Sequence, residues 1–284
     1  MTDIYDLHCH SNLSDGILSP EELVSRAKLQ SVRTLALTDH DTLAGVQRAQ
    51  AQAEREGIHL ITGIEFSCQW GGRGIHIVGL NIDIHSDAML HAVDHQARLR
   101  LWRAEKIAEK LEKNGVENAL QGAMSIAEEE GGNQAGQVLG RPHFAKYMVK
   151  AGVVANINQA FKRYLGAGKP GDIKQVWPEI GDVTEWIRTA GGVAVLAHPA
   201  KYKMTRTKLR VLLDDFIDVG GQAMEIISGK QATNITKDMA NLANNMKLHA
   251  SCGSDFHVPG QHWQELGAFG SMARGVKPVW DLWQ

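Results

Sequence analysis

Histidine and carboxylate side chains recur in short motifs near both ends of this sequence. The chain runs through Asp6-Leu7-His8-Cys9-His10, Ser14-Asp15-Gly16 and Thr38-Asp39-His40-Asp41, and later reaches Gly253-Ser254-Asp255-Phe256-His257. Imidazole nitrogens and carboxylate oxygens suit divalent ions such as Mn²⁺, Fe²⁺ and Zn²⁺. The motifs therefore predict a metal site.

Nine candidate ligands stand at or just after the ends of strand-like runs. They are His8, His10, Asp15, His40, Glu65, His76, His198, Asp255 and His257. Nine donors exceed what one ion needs, because a catalytic zinc site usually has three protein ligands. We therefore expect two or three ions, with Mn²⁺ favoured and Fe²⁺ or Zn²⁺ as alternatives. Closely spaced ions suit the hydrolysis of phosphate esters.

Strand-like runs alternate with helical patterns, which is typical of a wound α/β domain. The runs cover residues 4–10, 34–38, 59–67, 74–82, 193–198, 223–227 and 248–252. Seven runs suggest a barrel. Ser19-Pro20-Glu21-Glu22 predicts the start of a first helix, and Asp41 or Thr42 is expected to cap a second helix at 47–55.

The strand pattern disappears between residue 83 and about residue 182, where helical periodicity covers 88–114 and 141–151. We expect a barrel of residues 1–85 and 182–284, with a helical insertion at 86–181 that covers its mouth. The segment from Arg141 to Lys174 contains seven Lys or Arg residues and a single acid, Asp172. That basic stretch could guide a polyanion towards a phosphate-handling site.

Composition excludes several classes of protein. With 284 residues, 43% hydrophobic and 22% charged, the chain is long enough for one large α/β domain, and a net charge of −2 implies no general affinity for nucleic acid. We find no apolar stretch of the roughly 20 residues that a membrane span needs, so a cytoplasmic enzyme is expected. Cys9, Cys68 and Cys252 are expected to be reduced and buried, with Cys9 turned away from the face that His8 and His10 share.

Together with Gly63-Ile64-Glu65, His76-Ile77-Val78-Gly79 and Ala197-His198-Pro199, the motifs resemble those of the PHP (polymerase and histidinol phosphatase) family. The resemblance implies a distorted (β/α)7 TIM-like barrel with a trinuclear metal centre. It implies one ion held by His8, His10, Glu65 and Asp255, a second by Asp15, His40 and His257, and a third by Glu65, His76 and His198. Glu65 would then bridge ions.

Within that family the chain most resembles members that release the 3′-phosphate of 3′,5′-bisphosphonucleotides. These members also remove 5′-mononucleotides from 5′-phosphorylated RNA or DNA, including ribosomal RNA ends. The resemblance implies catalytic roles for His198, Asp255 and His257, and substrate contacts at Asp15, Arg103, Ala104, Glu105, Lys106, Arg141, Pro142, His143 and His257. Arginine binds phosphate through bidentate, charge-assisted hydrogen bonds. Trp177 is expected to pack, and Tyr202 is a candidate to stack on a base.

Three other functions fit parts of the pattern. A phosphomonoesterase of the histidinol-phosphatase kind would share the ligands but leave Arg103 and Arg141 unexplained. A metal-dependent amidohydrolase commonly bridges its metals through a carboxylated lysine, whereas Glu65 takes that role here. A decayed nucleic-acid-binding module would have lost some of the nine ligands. No membrane and no obligate protein partner are expected.

Overall fold

The computed structural model describes residues 3–131, 138–173 and 177–283. Its strands form one sheet in sequence order: β1 (Ile4–Asp6), β2 (Val32–Leu37), β3 (His59–Trp70), β4 (Arg73–Leu80), β5 (Val193–Leu196), β6 (Ala223–Ser228) and β7 (His249–Gly253). The backbone N–H of Leu7 donates to the carbonyl of Cys252 at 3.0 Å, so the two edges of the sheet meet. The expected seven-stranded, nearly closed α/β barrel is confirmed.

Helices surround this sheet. They are α1 (Pro20–Leu29), α2 (Val46–Glu56), α3 (Asp87–Glu112), α4 (Ala119–Gly131), α5 (Arg141–Lys150), α6 (Ile157–Ala160), α7 (Ile180–Thr189), α8 (Arg206–Asp218) and α9 (Thr233–Met246). A π-helical turn (Phe161–Leu165) and two 3₁₀ turns (Pro199–Tyr202, Val279–Leu282) complete the helical segments. In the parts of the chain that the structure describes, no helix is both long and apolar enough to cross a bilayer.

The sheet departs from a wound parallel barrel at β3 and β4. These strands pair antiparallel, and β4 also pairs antiparallel with β5. Only Gly71 and Gly72 separate β3 from β4, and both have positive φ (53° and 72°). A parallel connection needs about a dozen residues or more, whereas two glycines suit a tight hairpin turn.

The first predicted helix start is confirmed, and the second predicted cap is wrong. The Ser19 side chain accepts from the Glu22 N–H, and the Glu22 carboxylate accepts from the Ser19 N–H. Helix α2 instead starts after Gly45 without a side-chain cap. Asp41 is unavailable because its carboxylate accepts from Ser67 and Arg100.

Helix α3 packs in two hydrophobic cores. Met89 and Ala92 join the core between sheet and helices, whereas Ile107 and Leu111 join a separate core with Phe144. The division into barrel and insertion stays a prediction. Lys174 of the basic stretch lies outside the described residues.

The three cysteines are free and buried, as expected. Cys9 turns its Sγ towards the carbonyl of Ala36 at 3.1 Å and packs in the core that lies against α1 and α2. Burial raises the pKa of this thiol well above its usual range. Cys9 therefore contributes to packing.

Candidate metal centre

His8 and His10 follow β1 rather than belonging to it. The expected strand at 4–10 is too long, because β1 ends at Asp6 and Cys9 keeps only an isolated bridge to Phe256. The segment is still extended enough to bring the two Nε2 atoms within 3.1 Å. A Cβ added to Gly253 would lie 2.3 Å from the Cβ of His8, which explains the glycine of the last motif.

Glu65 and His76 are not at strand ends, which corrects the sequence expectation. Both lie inside the β3–β4 hairpin, where Ser67 pairs with His76. However, β3 pairs with β2 only as far as Thr62 and then continues beyond the end of that strand. Glu65 therefore reaches the mouth of the barrel from mid-strand.

Four donor atoms surround one point at the centre of the mouth. The Nε2 atom of His8 lies 3.2 Å from Glu65 Oε2 and 3.6 Å from Asp255 Oδ1. The corresponding distances from His10 Nε2 are 3.3 and 3.4 Å. For metal–ligand bonds of roughly 2.0–2.2 Å, tetrahedral ligand atoms lie roughly 3.3–3.6 Å from one another. The spacing of these atoms fits a divalent ion.

Glu65 connects the donors at the mouth. Its Oε1 lies 2.9 Å from both His76 Nδ1 and His198 Nε2, and its Oε2 lies 3.1 Å from His40 Nδ1. This geometry suits the bridging role implied for Glu65.

A further cluster lies around Asp15. Asp15 Oδ1 is 3.1 Å from His257 Nε2, and Asp15 Oδ2 is 3.8 Å from His40 Nε2. Groups of potential ligands with donor atoms within 4.8 Å of one another are His10, Asp15, His40 and His257; His8, His10 and Asp255; and His40, Glu65 and His76. The nine expected ligands thus converge, while their division among individual ions stays a prediction.

The electrostatics of the cluster also fit metal ions. Burial opposes charge on His10, but the carboxylates of Asp255 and Glu65 outweigh it and raise the pKa of His10 to about 10. Glu65 Oε2 is buried and has no hydrogen bond of good geometry among the described residues, although three imidazole nitrogens lie 3.1–3.3 Å away. A buried carboxylate oxygen without a hydrogen bond is costly unless a cation compensates for it.

Sequence analysis missed Glu225, the buried acid that orients two of these ligands. Glu225 Oε1 lies 2.5 Å from His8 Nδ1, and its Oε2 accepts from the His198 N–H at 2.6 Å. A carboxylate on the far ring nitrogen fixes the tautomer and orientation of a metal-binding histidine. Glu225 is buried in the apolar run of β6, and a single acid in such a run was the available signal.

Asp255 occupies an unusual backbone conformation. Its φ is 55°, and His198 has φ 32°, so both are in the left-handed region that non-glycine residues rarely adopt. The Oδ2 atom of Asp255 accepts from Lys201 and from Gln264, while Oδ1 faces His8 and His10. One carboxylate oxygen is thereby held in place and the other is left for a metal.

The nine converging candidate ligands are called the metal cluster below. An inner chamber of about 120 Å³ adjoins this cluster. It is lined by Ser14, Asp15, His40, Ser67, His76, Arg100, Arg103, Val138, Gly140, Arg141, Pro142, His143 and Trp177. Helix α3 supplies Arg100 and Arg103, and the start of α5 supplies Arg141 and His143. The structure thus brings the expected phosphate-binding residues next to Asp15 and His40.

Arg103 is buried in this chamber with 9% of its surface exposed, and its Nε has no hydrogen-bond partner among the described residues. Its guanidinium carbon lies 5.3 Å from the ring centroid of Trp177. Burial, together with the positive charges of Arg141 and Arg100, lowers the pKa of Arg103 to about 9. An anion entering the chamber would relieve this repulsion.

Arg100 is a chamber residue that the sequence analysis did not single out. It is buried, and it donates to Asp41 Oδ2 at 2.6 Å and to Ser67 Oγ at 3.2 Å. The signal was its spacing from Gln96 and Arg103, which places all three on one helix face.

His143 is a neutral hydrogen-bond donor in the chamber. Its Nδ1 accepts from the Gly140 N–H at 3.0 Å, which leaves the ring proton on Nε2. Burial lowers the pKa of His143, and nearby Lys146 acts in the same direction. Arg141 donates to the carbonyl of Leu165 at 3.2 Å, which fixes one side of its guanidinium.

Three predicted substrate contacts lie outside the chamber lining among the described residues, and their contact with a substrate stays a prediction. Ala104 packs in the core of the helical segment, Glu105 is exposed, and Lys106 pairs with Glu109 at 2.5 Å on the surface of α3. Ala104 and Glu105 point about 100° and about 200° away from Arg103 around the helix, whereas Lys106 lies one turn further along, close to the face of Arg103.

Trp177 and Tyr202 line a larger outer cleft beside this chamber. Trp177 packs against Arg100 and Arg103, so its expected packing role is confirmed. The hydroxyl of Tyr202 accepts from the His76 N–H at 2.9 Å, which holds the ring beside His198.

Comparison with known proteins identifies the family. A sequence model of the PHP domain matches residues 6–190. The chain belongs to the PHP domain family. It is 47% identical to a 5′-3′ exoribonuclease of Haemophilus influenzae, with 99% of each chain covered, and 42% identical to the 5′-3′ exoribonuclease Rnm of Escherichia coli, with 99% of this chain and 94% of that one covered.

A 3′,5′-nucleoside bisphosphate phosphatase of Chromobacterium violaceum is 38% identical over 97% of this chain and 94% of its own. A solved structure from the same organism, described as an amidohydrolase with bound sulfate and no metal, superposes with a TM-score of 0.87 and is 37% identical, covering 98% of this chain and 95% of that chain. These full-length relatives are hydrolases, and this PHP chain is an enzyme of the same class.

Proposed function

We propose that this PHP enzyme hydrolyses the 3′-phosphate of 3′,5′-bisphosphonucleotides. By the same cut it would release 5′-mononucleotides one at a time from 5′-phosphorylated RNA. Its relatives are named for these two activities. One site can serve both, because the first internucleotide phosphate of such an RNA is the 3′-phosphate of its first nucleotide.

The chamber of buried arginines beside the metal cluster carries this proposal. Arg103 and Arg141 line the same small space as Asp15 and His40. A single phosphomonoester would need only the metal cluster. A second anion-binding site next to it suits a substrate with two phosphates one nucleoside apart.

We assign the 5′-phosphate to the arginine chamber. Arg103 and Arg141 would bind it through charge-assisted hydrogen bonds, and His143 would donate from Nε2. Binding energy from this remote phosphate would align the scissile bond with the reacting groups. Asp15 and His257 would face the substrate at the edge of the metal site.

The nine converging residues would hold the ions, and we propose three, with Mn²⁺ favoured over Fe²⁺ or Zn²⁺. Bound divalent ions would supply a reactive water and neutralise charge on the phosphate oxygens. His198, Asp255 and His257 would act at the cleaved phosphate, where Glu225 fixes the backbone of His198 and Lys201 fixes Asp255. The three reduced thiols agree with a reducing compartment, and we propose the cytoplasm.

The test compares phosphate release from adenosine 3′,5′-bisphosphate and from histidinol phosphate, with Mn²⁺ added to metal-stripped protein. We expect turnover of the bisphosphate with little turnover of histidinol phosphate. The reverse preference would move the enzyme to the small-metabolite phosphatases. Absence of turnover with every metal would support a decayed nucleic-acid-binding module.

A further inference from the structure

A wide outer cleft leads away from the metal cluster. Its volume is about 610 Å³, five times that of the inner chamber at about 120 Å³, and the two spaces share His76, Arg103, Arg141 and Trp177. Its lining includes the turn of the β3–β4 hairpin and the segment that carries Asp172 and Ile173. A bisphosphonucleotide bound between the arginines and the metals would leave the outer end of this cleft empty.

Arg73 stands at that outer end. It is the first residue of β4 and lines the cleft. Its side chain is exposed and makes no salt bridge within the described part of the chain. Three residues of extended strand separate Arg73 from His76, which corresponds to about 10 Å. Arg73 is therefore a cation that lines the outer cleft about 10 Å along the strand from His76.

The hairpin that carries Arg73 is held rigidly. The Gln69 N–H donates to the carbonyl of Pro178 at 2.9 Å, and the Gln69 side chain donates to Glu179 at 2.7 Å. On the other side, the Trp70 indole N–H donates to Asp215 at 2.6 Å. The first two bonds also tie the hairpin to the segment that follows Trp177. The cleft is thus fixed before any substrate binds.

Its lining has the composition of a single-strand nucleic-acid groove. Arg73, Arg103 and Arg141 line the cleft together with the aromatic side chains of Trp177 and Tyr202. Stacking of bases on aromatic rings and a positively charged track are the two features of sequence-independent single-strand binding. Asp172 is the one acid among the cleft-lining residues, and its carboxylate accepts from the Gly168 N–H at 2.7 Å.

We propose that the outer cleft binds the single-stranded RNA on the 3′ side of the cleaved phosphate, with Arg73 contacting a phosphate of that strand. This inference rests on the proposed function and adds a subsite that only an oligonucleotide reaches. A bisphosphonucleotide ends at the metal cluster and does not contact Arg73. Arg73 therefore acts in binding the RNA that remains after each cut.

The test uses Arg73→Ala and a matched control, Arg33→Ala. Arg33 is also exposed, but it lies in β2 seven residues before His40, away from the mouth of the barrel. For Arg73→Ala we expect KM for a 5′-phosphorylated hexaribonucleotide to rise about 5- to 10-fold, and the slope of log KM against log salt to fall by about one. Adenosine 3′,5′-bisphosphate should be hydrolysed within twofold of wild type, and Arg33→Ala should match wild type on both substrates.

Three results would overturn the inference. They are an unchanged KM for the hexanucleotide in Arg73→Ala, an equal loss on the bisphosphate, or equal competition by a fully paired 5′-phosphorylated duplex. If the wild-type enzyme hydrolyses both substrates and Arg73→Ala does so with an unchanged KM for the hexanucleotide, only the subsite is refuted. If the wild type hydrolyses neither, the proposed function fails and the subsite fails with it.

Discussion

Arg103→Met tests whether the buried charge of Arg103 destabilises the substrate-free protein while it binds phosphate in the inner chamber. The guanidinium is buried next to Arg100 and Arg141, and its pKa is lowered to about 9. Each pKa unit corresponds to about 1.4 kcal/mol, so the charged group costs the folded, substrate-free protein several kcal/mol. The cation–π contact with Trp177 offsets about 1–2 kcal/mol of this cost.

We therefore expect Arg103→Met to stabilise the substrate-free protein by at least about 1 kcal/mol at pH 7, which raises Tm by about 2–4 °C or more. A guanidinium keeps its proton throughout the ordinary working range of pH, so the difference in Tm between variant and wild type should be the same at about pH 6 and about pH 8.

The same variant should lose activity selectively. Hydrogen bonds to charged groups contribute about 1.5–3 kcal/mol, so kcat/KM for adenosine 3′,5′-bisphosphate should fall about 10- to 150-fold. Hydrolysis of p-nitrophenyl phosphate, which has no second phosphate, should change less than about threefold. Arg98→Met is the control, because Arg98 lies on the same helix but pairs with Asp94 on its exposed face.

Two results would refute this reasoning. A lower Tm in Arg103→Met would show that the arginine stabilises the fold, and equal losses on both substrates would show that it does not bind a second phosphate. Steady-state kinetics and thermal unfolding on the same preparations distinguish the two.

Further predictions concern the metal cluster. Glu225→Gln should weaken Mn²⁺ binding about 10- to 100-fold, measured by titration of the metal-free protein, because the imidazole of His8 loses its charged partner; unchanged affinity would contradict the orienting role. Binding of Mn²⁺ should release protons, and the apparent affinity should rise with pH below 10, because His10 with its pKa of about 10 must lose a proton to become a ligand; calorimetry in buffers of different ionisation enthalpy measures this, and heats independent of buffer would count against it. Gly253→Ala should destabilise the protein by about 1–3 kcal/mol, since its Cβ would lie 2.3 Å from the Cβ of His8, whereas Gly270→Ala, with nothing within 4 Å, should leave Tm unchanged.

The sequence located the candidate metal ligands because residue type and position agreed. Apolar runs followed by His8, His40 and Asp255 placed these residues at one rim of a barrel before any distance was known. The division of ligands among ions was beyond the sequence, because it depends on separations of 3–4 Å within a single cluster. His10, for example, lies near both Asp255 and Asp15.

The antiparallel hairpin and the orienting acids were missed for different reasons. Gly71-Gly72 between two strand-like runs is a hairpin signal, which the expectation of a wound barrel overrode. Glu225 looks like one polar residue in an apolar strand, and only its contact with His8, 217 positions earlier in the sequence, gives it a role. Such long-range partners are set by tertiary packing rather than by local pattern.

Arg100 fixes the position of the helical chamber relative to the strands that carry the metal cluster. Its guanidinium spans from α3 to Asp41, whose other carboxylate oxygen accepts from the Ser67 N–H at 2.7 Å. The N–H of Asp41 in turn donates to the carbonyl of Glu65 at 3.0 Å. Two hydrogen bonds in series therefore connect the helix that carries Arg103 to the backbone of Glu65, whose carboxylate lies at the centre of the metal cluster. The two phosphates of one bisphosphonucleotide are a limited distance apart. A fixed separation between the arginine chamber and the metal cluster therefore favours a substrate that carries both phosphates over a simple monoester.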